Sequence, residues 1–494
     1  MLHRAPRFGL PSVFAWLLCL SVLLSPTLAA ASGLGLPTLG PTNAGVSTTG
    51  PTSVHYNPAG LGYAKKLRLV IGGDLLVGSI KVHRERRATY QRADSLDYAL
   101  PIDPESIDPE KTGFDDEVKA TPIGVVPAVF FEAPIGKLPL ALGFGIDAPY
   151  AAIVRWPGAG PQRFQLDDAT LAAVFVNAGL AYRPTDWISL GVGVSYVLGY
   201  ADLKRTQDLA TVQELGDALA RPPISQPNGF GPSADPALRE LNTFARPFEF
   251  NNGWAHGFTF RAGVMARAGD HVWLSASYEH TTHLDYNGTF SLDMNDPFFT
   301  QDLASQGLQY PAMVRGDASL SLTLPRVVRA GIRYTFGSMR NGEPSSSIAL
   351  EGAYTGWSSV KNFDVRIKSD ELAQPDLGLG STLQLKLPRG WYDTIGGLVR
   401  ASHALTDDFT LWAGGGVEGA AVPDRTIDAA SPDGRRITIF GGFSIGLTRK
   451  ARLLLDATYQ HVMERKVVGS DYDLGNGRYR MFLVSGGAHL DYSF

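Results

Sequence analysis

Ile188-Ser189-Leu190-Gly191-Val192-Gly193-Val194-Ser195-Tyr196 alternates without a break between an apolar residue and glycine or serine. Successive side chains of a β-strand point to opposite faces, so this stretch has one greasy face and one face of small, weakly polar groups. Phe258, Phe260, Ala262 and Val264, set between Gly257, Thr259, Arg261 and Gly263, repeat the pattern. So do Ile437, Ile439, Phe443, Ile445 and Leu447, opposite Arg436, Thr438 and Ser444. A soluble sandwich also alternates, but its second face is charged and wet. Here that face is Gly, Ser and Thr with scattered Arg, as in the lining of a lumen, and the apolar face is the one turned to lipid.

The composition agrees. Of 494 residues, 44% are apolar and only 19% charged, with 55 Gly and 42 Tyr plus Phe, yet the mean hydropathy is -0.03. Lipid-facing and lumen-facing residues averaged along one strand give a value near zero. Beyond the first thirty residues no apolar run approaches the roughly 18 that a spanning helix needs. The net charge of -4, without a long basic run, gives nothing that favours nucleic acid, and no nucleic-acid partner is expected.

Residues 1–31 read as a signal peptide. His3, Arg4 and Arg7 give a positive start, Val13 to Leu24 an apolar core, and Ala29-Ala30-Ala31 a site for cleavage. The apolar stretch ends at Ser25-Pro26, too short for an anchor helix. The only cysteine, Cys19, lies inside it after Leu17-Leu18, which lacks the small residue of a lipoprotein signal. The mature chain therefore has no disulfide and no thiol chemistry.

From about residue 67 to 494 strands follow one another, joined alternately by short turns and long polar stretches. Short turns are predicted near 134–138, 184–186, 269–270, 338–346, 405–408 and 448–451. Longer connections are predicted near 83–122, 151–170, 204–254, 288–313, 368–388, 420–435 and 468–478. Short periplasmic turns and long external loops in strict alternation mark an outer-membrane barrel. Residues 314–337 are read as one strand with a bulge at Pro325, because splitting there would place two short turns in succession. The total is then about fourteen strands: an all-β, transmembrane antiparallel β-barrel. Trp187, Trp273, Trp391 and Trp412 fall near predicted strand ends, as an interfacial aromatic girdle would. The last strand places Leu490, Tyr492 and Phe494 on one face, which resembles the signal read by the outer-membrane assembly machinery.

Residues 32–66 do not read as strand. They are rich in Gly, Pro, Thr and Asn, lead into Tyr56-Asn57-Pro58-Ala59-Gly60-Leu61, and are placed to fold back into the lumen as a plug. That string resembles the N-terminal hatch motif of the FadL/TodX-type outer-membrane transporters of long-chain fatty acids and aromatic hydrocarbons. Leu350–Val360 (LEGAYTGWSSV), Gly390–Glu418 and Val422–Leu447 are also similar to that family and arrive in its order. The resemblance implies a fourteen-stranded barrel closed by the hatch residues Tyr56, Asn57, Pro58, Ala59 and Gly60. It implies capture of a hydrophobic small molecule among external loops, and exit sideways into outer-membrane lipids through a gap at a kinked third strand. In this chain that strand is predicted near 138–150, so Gly143, Gly145, Pro149 and Tyr150 are the candidates for the gap. Pro149 marking only the outer end of the strand is the plainer alternative.

Within 204–254, Leu209, Val212, Leu215, Leu219, Leu238, Leu241 and Phe244 suggest short amphipathic helices. With Phe290, Phe298 and Phe299 of the 288–313 segment they would form an apolar capture groove or pack against one another. By parity, Arg261, Arg315, Arg329 and Arg333 face inward as candidates for a carboxylate, unless they pair with lumen acids such as Asp317 or Asp456. No cofactor and no metal are expected, and the chain is read as a monomer. Three other classes compete. A general diffusion porin requires an open lumen, and an adhesive or structural barrel leaves the hatch without a purpose. A surface hydrolase built on His280, His283 or His461 lacks a serine in a nucleophile context. The chain is read as a transporter and not as an enzyme.

Overall fold

The computed structural model describes residues 35, 39–85, 90–92, 95–100, 117–158, 160–209, 245–305, 310–340, 342–373, 380–471 and 473–494. The expected leader and the outer-loop positions 210–244 lie outside them.

Nineteen strand segments form a single antiparallel sheet that closes on itself. They make fourteen crossings, because five crossings are interrupted once. The first four are β1 (Arg68–Arg84), β2 (Glu117–Ala120 and Ile123–Pro134), β3 (Leu140–Arg155) and β4 (Asp168–Thr185). Next come β5 (Ile188–Asp208), β6 (Ala245–Ala268), β7 (Val272–Glu279 and Thr282–Asp293) and β8 (Met313–Leu324 and Val327–Arg340). Then follow β9 (Glu343–Thr355 and Asn362–Lys368), β10 (Thr382–Pro388 and Thr394–Ala404) and β11 (Phe409–Glu418). The last three are β12 (Arg436–Gly446), β13 (Ala451–Val467) and β14 (Gly477–Ser493). β1 pairs β14 along its whole length, from Arg68–Ser493 to Arg84–Gly477, and this seam makes the cylinder. The seam leaves β1 and β14 without a free edge, as a barrel in lipid requires. Among the described residues no helix is long and apolar enough to cross a membrane.

The alternation read at Ile188–Tyr196 is borne out. Ser189 and Ser195 are buried in the lumen, whereas Leu190, Val192 and Val194 are about half exposed and face lipid. The same inside-out order holds at Thr259 and Arg261 against Phe258 and Phe260. Strands of 17, 21 and 24 residues (β1, β5 and β6) far exceed the roughly 9–11 needed to span the bilayer, so they project beyond it at the long-loop rim. At the other rim the turns are tight. Gly136 and Gly269 adopt φ of 55° and 64°, the left-handed region that an L side chain resists.

Pro325 interrupts β8 without the register shift of a bulge, and the interruption overturns one expectation. Before it the buried set is even-numbered: Val314, Ala318, Leu320, Leu322 and Leu324. After it the inward set is odd-numbered: Val327, Arg329, Gly331 and Arg333. β7 breaks opposite it with the register unchanged, from Glu279–Val327 to Thr282–Leu324, so both strands exchange their two faces at the same level. Arg315 and Asp317 are therefore exposed on the outside of the barrel and not in the lumen. The aromatic girdle is corrected too. Only Trp187 of the four tryptophans is exposed; Trp391 and Trp412 are buried inside, and Trp273 is half-buried against Tyr63. Leu411 and Ala413 take the lipid side of β11, which turns Trp412 inward.

The interior is divided by polarity. Toward the long loops a continuous apolar cluster joins Tyr150, Phe175, Leu284, Tyr286, Phe290, Leu292, Phe299, Trp357 and Trp391. Toward the short turns Asp74, Glu132, Asp147, Arg261, Glu279, Glu351, Arg400, Asp456 and His489 are buried beside a smaller apolar cluster of Val54, Leu61, Val70 and Phe130.

Candidate functional site

Residues 39–66 lie among those charged groups and are bonded to strands on all sides. A one-turn helix (Ser53–Tyr56) runs into a 3-10 helix (Pro58–Tyr63). Asn57 joins them: its Oδ1 accepts from Ala59 N at 3.1 Å, capping the second helix, while Nδ2 donates to Val46 O and to Val264 O of β6, both at 3.2 Å. An aspartate there would lose the donors and a leucine everything. Pro58 occupies the first helical position, where its missing N–H is no loss. Further bonds tie Thr42 N to Asp456 Oδ2 of β13 (3.2 Å) and Ser47 N to Glu351 Oε1 of β9 (3.0 Å). Arg400 Nε of β10 donates to Thr42 O (3.0 Å), and Trp412 Nε1 of β11 to Thr42 Oγ1 (2.7 Å). Ser277 Oγ of β7 donates to Tyr56 O (2.7 Å). His55 Nδ1 stands 3.1 Å from Asp147 Oδ2 of β3.

The wall facing this segment is lined with glycine. A Cβ on Gly143 or Gly145 would fall within 2.8 Å of Leu61 Cδ2 and 2.9 Å of Val54 Cγ1, respectively, and one on Gly191 would collide with the backbone of Pro58 and Ala59. Gly143 and Gly145 are also paired with Glu132 and Phe130 of β2. They form a socket for the N-terminal segment, and the expectation that they mark a break in the ladder is corrected.

The break lies just beyond them. The β2–β3 ladder runs only from Pro134–Ala141 to Val129–Ile146. Past that point Ile123 to Ala128 pair with β1 alone and Asp147 to Arg155 with β4 alone. Between Asp147–Phe175 and Tyr150–Ala173 the register shifts, so Ala148 and Pro149 face one residue of β4. Pro149 is thus at a bulge within β3, which continues to Arg155, and does not end it. Pro127 on the facing edge removes a second backbone donor. The free edge at Tyr150 bridges Gly35 of the N-terminal segment instead.

A cavity of about 280 Å³ lies between the N-terminal segment and the wall, bounded by Leu39, Tyr56, Pro149, Tyr150, Arg329, Trp357 and Arg400. Its charged lining is balanced, with Glu279, Glu351 and Glu418 against Arg329, Arg400 and Arg436. Arg329 pairs with Glu279 at 3.1 Å and Arg400 with Glu351 at 3.4 Å. Trp357, buried in this wall, has an indole N–H without an acceptor. Of the other arginines, Arg261 stands behind the cavity, bonded to Glu279 and Asn177, and Arg333 lies over the Trp273 ring nearer the short turns. Phe290 and Phe299 are buried in the apolar cluster and Phe298 packs on Phe299, so these rings close over the lumen more than they line an open groove. His280, His283 and His461 are exposed on the outer wall. Asp285 takes the hydrogen bond of Ser321 that a nucleophile would give to His283.

One connection at the long-loop rim carries a pH dependence. Asp433 accepts from Val422 N (3.0 Å) and pairs with Arg436 (3.1 Å), folding the segment between β11 and β12. Burial pushes its carboxyl up to about 6, with Arg436 pulling the other way. That lies above the roughly 3.9 of an unfolded aspartate, so the loop is most stable below about pH 4 and loses that margin as pH rises through 6. Protection of the Val422 amide against exchange, corrected for the intrinsic rate, is expected to be higher at pH 4.5 than at 7.5; equal protection would show that Asp433 does not hold the loop.

These features define a membrane β-barrel with its lumen occupied by its own N-terminal segment. The chain belongs to the outer membrane protein transport protein family (OMPP1/FadL/TodX), which it matches over residues 27–489, and it is an outer-membrane protein. It is 22% identical over 384 residues to the long-chain fatty acid transport protein of Escherichia coli (strain K12), covering 76% of this chain and 78% of that one. It is 24% identical over 355 residues to outer membrane protein P1 of Haemophilus influenzae, covering 70% and 67%. Among solved structures, a Pseudomonas aeruginosa FadL homologue superposes with a TM-score of 0.71 at 20% identity, over 94% of this chain and all of that one. The Pseudomonas putida toluene transporter TodX superposes with 0.61 at 16% identity, over 90% and 94%.

Proposed function

We propose that the chain takes up hydrophobic compounds, long-chain fatty acids or related lipids and hydrocarbons, by passive transport and releases them sideways into the outer membrane. One observation carries this reading: the cavity beside the N-terminal segment is walled by Pro149 and Tyr150, on the stretch of β3 that has lost β2. A hydrophobic solute there has a path to lipid that avoids water, and hydrophobic transfer supplies the drive. The apolar cluster beneath the long loops supplies the entry, with Phe290, Phe298 and Phe299 at its mouth. Residues 32–66 act as the hatch that keeps the axial route shut, which is what separates this reading from a diffusion porin. The relatives named above for fatty acid and for toluene support both substrate classes. Leu490, Tyr492 and Phe494 serve as the assembly signal, residues 1–31 as the export leader, and the barrel works as a monomer without catalysis.

Arg329 and the indole N–H of Trp357 are the groups best placed for a polar head. A charge-assisted hydrogen bond is worth about 1.5–3 kcal/mol, or roughly ten- to a hundredfold in affinity. Arg329→Gln is therefore expected to weaken oleate binding at least tenfold and leave toluene binding unchanged, measured with each compound on the purified protein. Loss of both would point to a disturbed barrel, and loss of neither would remove the carboxylate role.

A further inference from the structure

We propose that Asp74, Asp456 and His489 form a binding site for a first-row divalent transition metal ion at the seam where the barrel closes. The ladder places them together. Gly487 of β14 is the register partner of Asp74 on β1 and of Asp456 on β13, and His489 lies two residues further along the same face. Directly opposed residues share a face, so both carboxylates and the imidazole project inward over one glycine. His489 Nε2 stands 3.6 Å from Asp74 Oδ1 and 3.7 Å from Asp456 Oδ2. One donor atom from each of the three lies within 4.8 Å of the others. Around a tetrahedral ion with bonds of about 2.1 Å neighbouring donors are about 3.4 Å apart, so the two histidine–carboxylate separations need to close by only a few tenths of an ångström.

Apart from one bond from Thr42 N to Asp456 Oδ2, the three groups have no hydrogen-bond partner among the described residues. Asp74 is 2% and His489 1% exposed, yet both Asp74 oxygens, both His489 nitrogens and Asp456 Oδ1 have no hydrogen-bond partner. Two buried carboxylates side by side are costly unless a cation or protons compensate them. The donors converge on the space above Gly487, where a Cβ would stand 2.7 Å from His489 Nε2, 2.8 Å from Asp456 Oδ1 and nearer still to Asp74 Oδ1. Two carboxylates and an imidazole suit zinc, manganese or iron better than the all-oxygen preference of calcium. Asp456 Oδ2 also accepts from Thr42 N, so the ion would fasten the seam and the N-terminal segment at one point. The site is invisible to sequence spacing, because its ligands come from three strands at opposite ends of the chain.

The test uses the untagged full-length chain, purified in detergent and stripped with chelator, titrated with Zn2+ by calorimetry and with Co2+ by visible absorption. One ion per chain is expected, with the Co2+ bands of a low-symmetry site. Gly487→Ala, whose methyl fills the cradle, and His489→Gln are each expected to lose at least about tenfold in affinity. Heat-modifiable migration on gels confirms that each barrel has formed, and either variant that forms decides the matter. Absence of binding to the wild-type chain, unchanged binding by a folded variant, or stabilisation by protons alone would overturn the proposal.

Discussion

Deletion of residues 32–60 is expected to convert a closed barrel into a steady aqueous pore, with a conductance in planar bilayers at least tenfold above that of the full chain. The deletion removes Thr42, Ser47, Tyr56 and Asn57 and with them the bonds to Asp456, Glu351, Arg400, Trp412, Ser277 and Val264. It exposes a wall of carboxylates, guanidiniums and glycines, which water wets readily. The barrel itself does not depend on the segment. Its seam is paired along all of β1, and the lipid face is made by Leu75, Val125, Phe258 and their like on the strands alone. Of the apolar cluster at this end of the lumen the deletion removes only Val54, while Leu61, Val70 and Phe130 remain on the barrel side of the cut. Uptake of oleate would lose its selectivity, and cells would become sensitive to large hydrophilic antibiotics. A deleted barrel that inserts and conducts no better than the full chain would refute the hatch. A full chain that already conducts steadily would instead vindicate the porin.

Much of this was legible because barrels repeat one local rule. Period-two alternation at Ile188–Tyr196 depends only on neighbours, and so does the alternation of short and long connections. Errors enter where an interruption resets the phase. Parity counted from the far side of Pro325 puts Arg315 inward, whereas it lies outside. Closeness to a strand end does not tell which way Trp412 points; its face is set by Leu411 and Ala413. Gly143 and Gly145 illustrate a different limit. Glycine in a strand signals either a broken ladder or a close approach, and only the position of Leu61 and Val54 decides. The pairs His55–Asp147 and Arg400–Glu351 join distant parts of the chain, so no spacing announces them. The missing donor of Pro127 is readable in the sequence, but nothing local says which strand it faces.

Deletion of Pro149 is expected to slow uptake at least tenfold while leaving the barrel inserted. Inward residues of β3 are odd-numbered before the bulge, through Asp147, and even-numbered from Tyr150 onward. Removing one residue therefore abolishes the bulge and still leaves Tyr150 and Val154 facing the lumen. It also replaces a position without an N–H by one that has it. β3 then runs straight past Ile146, alongside the six residues Ile123 to Ala128 that now pair on one side only. Unsatisfied backbone groups at membrane depth cost several kcal/mol each, so once the geometry permits pairing the ladder is driven to close. Closure shuts the lipid exit without touching the cavity wall at Arg329 or the N-terminal segment at Asn57. Affinity for oleate should hold while its rate of entry into cells falls, a combination that a binding defect does not give. The double variant Pro127→Ala/Pro149→Ala, which keeps the length of β3, is expected to show a smaller effect in the same direction. Amide exchange across Val125 and Val126 reports whether the ladder has formed. If it has formed and oleate still enters at the wild-type rate, the solute leaves by another route.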